Sequence, residues 1–113
     1  MRAIMLSLLL LAPASAWAHA FLKEASPAVG STIATAPSTI SLDFTEGVEP
    51  GFCTVTVQDA AGARVDKGDL HGSGTHLEIG VGALPPGRYK VTWHATAVDT
   101  HKTEGSFTFT VQS

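Results

Sequence analysis

Cysteine is almost missing from this chain: Cys53 is the sole thiol among 113 residues. That excludes an internal disulfide and a cysteine-built zinc cage, so packing must hold the fold. Cations are sparse as well. Seven Lys and Arg against ten Asp and Glu give a formal net charge of −3, which leaves no basic stripe to neutralise a run of phosphates. Nucleic acid and anionic membrane surfaces are therefore poor partners. Methionine occurs only at Met1 and Met5, so the body of the chain has no thioether with which to build a Cu(I) site. No apolar run approaches the roughly 20 residues of a membrane-spanning helix, and the length admits one domain rather than two.

The longest apolar run opens the chain and reads as a leader. Arg2 supplies a positive start, Ile4 to Leu11 an apolar centre, and Pro13 leads to small residues ending in Ala16-Trp17-Ala18. No cysteine follows as a lipid attachment point. Residues 1–18 are accordingly expected to be a secretory signal peptide and residues 19–113 the mature domain, a soluble monomer that begins with His19.

Beyond Phe21 the pattern is all-β, with short β-branched and aromatic runs separated by Gly, Pro and Asp punctuation. Ile40 to Phe44 alternates strictly and Cys53 to Gln58 alternates; Leu77 to Ile79 is short, while Tyr89 to Val98 and Ser106 to Val111 are the longest runs. About seven strands fit, and the turn spacing suits a β-sandwich. Leu84-Pro85-Pro86-Gly87-Arg88-Tyr89 has the form of a tyrosine corner, whose hydroxyl bonds back to the preceding turn. In the following strand Tyr89, Val91, Trp93, Ala95 and Ala97 are expected in the core, with Lys90, Thr92, His94 and Thr96 on the other face. Cys53, in register with Val55 and Val57, reads as a small buried hydrophobe.

Cleavage after Ala18 would give His19 two nitrogen donors, its imidazole and a free α-amine whose reference pKa lies near 8, low enough for a metal to displace the proton. The second chemical element is Asp99-Thr100-His101. If the backbone is extended there, Asp99 and His101 project from one side and share an ion with His19. An amine, two imidazoles and a carboxylate suit a tetragonal Cu(II) or Ni(II) site and are acceptable to zinc; Cu(II) stands highest in the affinity series. Taken singly, a histidine after a leader is often incidental and an Asp-x-His is usually solvated.

The order of these features resembles the CopC family of periplasmic copper-binding proteins. The likeness rests on His19-Ala20-Phe21-Leu22, Ser26-Pro27, Leu42-Asp43-Phe44-Thr45-Glu46, Glu49-Pro50, Leu84 to Tyr89, Trp93, Asp99-Thr100-His101 and Gly105-Ser106-Phe107. It implies a seven-stranded, immunoglobulin-like Greek-key sandwich or barrel that holds Cu(II) at one end through His19, Asp99 and His101. Glu46 would be a supporting residue that orients a ligand. Members with an added Cu(I) site carry a methionine-rich loop that this chain lacks, so the resemblance is to the Cu(II)-only branch. It also implies copper homeostasis or resistance in the periplasm and handover to a CopD-type membrane transporter.

Two other readings compete. A histidine brace is also the site of small copper oxidases and monooxygenases, but Asp99 would occupy coordination space that oxygen needs, and few aromatics are available for a polysaccharide platform. A sandwich with an incidental histidine is the bland alternative. His71 and His76 bracket Gly72-Ser73-Gly74-Thr75, either as a mobile loop that closes on a weak second ion or as a solvated hairpin. His94 is expected to be merely exposed.

Overall fold

The computed structural model describes residues 19–113; the expected signal peptide, 1–18, lies outside the described residues. Eight strands form: β1 (Leu22–Ser26), β2 (Thr32–Ile33), β3 (Thr39–Phe44), β4 (Thr54–Gln58), β5 (His71–Ser73), β6 (His76–Gly80), β7 (Gly87–Thr96) and β8 (Lys102–Val111). Eight replaces the expected seven because the two-residue β2 pairs in parallel with the end of β8. The sheets run β1-β3-β6-β5 and β2-β8-β7-β4. Chain order crosses between them at β1 to β2, β2 to β3, β3 to β4, β4 to β5 and β6 to β7, which gives the two-sheet arrangement of an immunoglobulin-like sandwich.

Alternation decides which face each strand buries. Ile40, Leu42 and Phe44 of β3, and Leu77 and Ile79 of β6, meet Val55 and Val57 of β4 together with Tyr89, Val91, Trp93 and Ala95 of β7 in one core. Cys53 is buried with them, its Sγ donating to the Glu49 carbonyl at 3.1 Å. Phe44 meets Trp93 edge to face, ring centres 5.1 Å apart, and so ties the two sheets together. Gly105 stands opposite Trp93 in the β7–β8 register, and a Cβ there would lie 2.6 Å from the indole ring. Glycine makes room for the tryptophan. The Tyr89 hydroxyl donates to the Pro85 carbonyl, so the tyrosine corner forms as the sequence predicts.

The long β7–β8 hairpin fixes the end of the sandwich that matters for function. Its last pair is Thr96 with Lys102, so residues 97–101 form the connection at that end. The first described residues arrive at the same end. Ala20 is fully buried there, and Thr103 at the start of β8 donates its hydroxyl to the Ala20 carbonyl at 2.6 Å.

Candidate metal centre

His19 is held in place through its neighbours rather than through its own side chain. The Phe21 amide donates to Thr45 Oγ1 at 3.0 Å, and Thr45 returns its own amide to the Phe21 carbonyl at 2.8 Å. The Thr45 hydroxyl also lies 3.5 Å from the His19 carbonyl. With Thr103 on Ala20, these contacts pin residues 19–21 between the end of β3 and the start of β8. Short side-chain-to-backbone bonds of this kind fix a terminal segment that would otherwise fray.

Asp99 and His101 come together by a route other than the expected extended strand. β7 stops at Thr96, and residues 97–101 form a tight connection: the Thr100 amide donates to the Ala97 carbonyl, and the Ala97 amide to the His101 carbonyl, both at 2.8 Å. Thr100 takes a positive φ of 78°, which an extended backbone does not contain. The Asp99 carboxylate then folds onto its own turn, accepting the His101 amide at 3.2 Å and lying 3.3 Å from His101 Nδ1. Aspartate commonly bonds to backbone two residues onward in turns. Burial acts to raise the Asp99 pKa, but the His101 backbone amide and ring outweigh it and hold the carboxyl below its ordinary value. It therefore stays an anion, the form a cation requires.

Across the end of the sandwich, the rings of His19 and His101 stand 5.1 Å apart, centre to centre, tilted by 55°. Two imidazoles bound to one ion through bonds of about 2 Å occupy a separation of this order. Phe21 also meets His19 edge to face, ring centres 5.8 Å apart. Among the described residues no three His, Cys, Asp or Glu side chains form a complete metal cage as they stand. In the sequence as it stands the backbone nitrogen of His19 is an amide joined to Ala18.

Of the four residues expected at the site, His19, Asp99 and His101 are thus brought together. Glu46 lies exposed just beyond β3, and no hydrogen bond or ion pair links it to any of those three. Its neighbour Thr45 is what touches the N-terminal segment. Sequence alone assigns this anchoring role neither to Thr45, which belongs to the Leu42-to-Glu46 motif, nor to Thr103, because a threonine within a strand pattern gives no sign of which distant carbonyl it will meet. Thr103→Val should cost about 1 kcal/mol of stability, the net worth of one hydrogen bond. It should also abolish the nuclear Overhauser contacts between the His19 and His101 rings; unchanged contacts would show that the anchor is not needed.

The class is an all-β, two-sheet sandwich with two imidazoles and a carboxylate gathered at one end. Residues 22–112 match the CopC domain family, and the chain belongs to that family. It is 35% identical over 102 residues to protein YobA of Escherichia coli K12, covering 87% of this chain and 82% of that protein. It is similar to the crystal structure of CopC from Methylosinus trichosporium OB3b, with a TM-score of 0.79 and 32% identity over 83% of this chain and 94% of that one. It is also similar to PcoC, a methionine-rich copper resistance protein from Escherichia coli, with a TM-score of 0.74 and 31% identity over 84% of this chain and all of that one.

Proposed function

We propose that this protein, once cleaved after Ala18, holds Cu(II) at the His19 end of the sandwich and buffers or delivers it in the periplasm without catalytic turnover. The ligands are the α-amine and imidazole of His19, the imidazole of His101 and the carboxylate of Asp99. The observation that carries this reading is the approach of the His19 and His101 rings to 5.1 Å from opposite ends of the chain. Three nitrogen donors and one anionic oxygen favour the cupric ion, and residues 19–113 contain no methionine to favour the cuprous one.

Two surface features support binding and handover over oxidation chemistry. Trp93 and Tyr89, the Trp and Tyr of the described residues, are both buried, so neither offers a platform for stacking a sugar. Phe21 and Val98, beside His19 and Asp99 in sequence, are 51% and 60% exposed. They give the end that carries the ligands an apolar border suited to a CopD-type membrane transporter.

Ascorbate and peroxide added to the Cu(II)-loaded protein separate this reading from the histidine-brace oxidase. Slow reduction without sustained consumption of either reagent is expected. Continuous turnover, abolished by His101→Ala, would establish the oxidase instead.

A further inference from the structure

The outward face of the β1-β3-β6-β5 sheet carries a second group of imidazoles and carboxylates, none of them a ligand proposed for the His19 site. Alternation along β6 turns Leu77 and Ile79 into the core and His76 and Glu78 outward. Register places Asp43 of β3 opposite His76, and His71 of β5 opposite Glu78. His71 and His76 therefore sit on paired strands of a hairpin that turns at Gly74-Thr75, the hairpin alternative of the sequence reading rather than a mobile loop. Gly72 permits the close pairing: a Cβ at that position would fall 2.0 Å from the His76 carbonyl oxygen.

Hydrogen bonds orient both rings the same way. His71 Nδ1 lies 3.0 Å from the Asp69 carbonyl, which can only accept, so Nδ1 carries a proton and, in the neutral ring, the lone pair is on Nε2. That Nε2 is 3.5 Å from Glu78 Oε1. His76 Nδ1 is 3.0 Å from Asp43 Oδ1, and its Nε2 is 2.9 Å from Glu78 Oε2. A neutral His76 cannot donate to both carboxylates. Either a second proton bridges Nε2 and Glu78, or another cation must stand there.

The separations suit such a cation. Ligand atoms bonded to one ion at about 2.0–2.2 Å lie roughly 3–3.5 Å from each other; His71 Nε2 is 3.5 Å from Glu78 Oε1 and His76 Nε2 is 2.9 Å from Oε2, so the rings meet different oxygens and the side chains must turn inward for all three to close on one ion. An oxygen acceptor behind each Nδ1 is the outer support that recurs behind metal-binding histidines. Glu24 of β1, in register with Asp43, adds negative charge to the same face, with Lys23 beside it. Two imidazoles and one carboxylate form a borderline donor set for late first-row dications.

We propose that His71, His76 and Glu78 form a second, weaker divalent-metal site that takes Zn2+ or Cu2+, with Asp43 and the Asp69 carbonyl setting the rings. The ion replaces the proton shared by His76 and Glu78, and water completes its coordination. Because none of these residues belongs to the His19 site, the two sites fail or survive separately.

Titration with Zn2+, followed by calorimetry and by nitrogen NMR of the imidazoles, tests this on the wild-type chain and on His101→Ala. Both should show a saturable one-to-one event that shifts Nε2 of His71 and His76 and releases a proton. His71→Ala, at an exposed position on an edge strand, should abolish it, and Asp43→Asn should weaken it about 10–100-fold. Absence of a saturable Nε2 shift in the wild-type chain, or an event undiminished in His71→Ala, would overturn the proposal.

Discussion

Cu(II) affinity should fall by at least about a hundredfold when one residue is left ahead of His19, although every side chain remains. Replacing groups that merely orient metal ligands already costs 10–100-fold, and the extension removes a ligand outright by turning the amine into an amide. It also breaks the chelate in which amine and imidazole of one residue bind together. His19→Ala should cost at least as much, because the ring that stands 5.1 Å from His101 is lost while the amine survives. Competition titration against a chelator of known Cu(II) affinity, at fixed pH, measures both. Equal affinities for the extended and cleaved chains would remove the amine from the donor set, whereas a loss confined to His19→Ala would leave a site of side chains only.

Phe44→Ala should be the most damaging single truncation in the core. The ring is 2% exposed, packs edge to face on Trp93, and thereby joins the β3 sheet to the β7 sheet. Truncations of this kind cost about 3–5 kcal/mol, from lost transfer energy and the cavity left behind. In a domain of roughly 95 residues that lowers the melting temperature by upwards of about 10 °C. The change also reaches the metal centre, because Thr45, the next residue, holds Phe21 and His19. Calorimetry should therefore find a large loss of stability, and metal titration below the new melting temperature a weakened site. A shift under about 3 °C would mean that the two sheets are held together elsewhere.

Alternation made most of the sandwich legible. Ile40, Leu42 and Phe44 point inward as their spacing requires, as do Tyr89, Val91, Trp93, Ala95 and Ala97, and the tyrosine corner followed from its turn residues. Cys53 is buried in register with Val55 and Val57. His94 is exposed as expected, though its Nε2 also pairs with Glu104 of β8 at 3.1 Å.

The details of the site were less legible, because they depend on turns and register. Asp99 and His101 meet through a turn with Thr100 at positive φ, a conformation that no side-chain spacing announces. The meeting of His19 with His101, and of Thr45 and Thr103 with the N-terminal segment, depends on which strand ends lie together. Sequence allows His71 and His76 as the ends of a loop or of a hairpin, and does not choose between them. Cross-strand register makes them neighbours of Asp43 and Glu78, a pairing that patterns read along single strands do not contain.

Electron paramagnetic resonance of the Cu(II)-loaded protein, secreted and confirmed by intact mass to begin at His19, tests the central claim most directly. The account predicts a tetragonal cupric signal with hyperfine structure from three nitrogens, falling to two in His101→Ala. A spectrum dominated by oxygen ligands, or one that His101→Ala leaves unchanged, would contradict it.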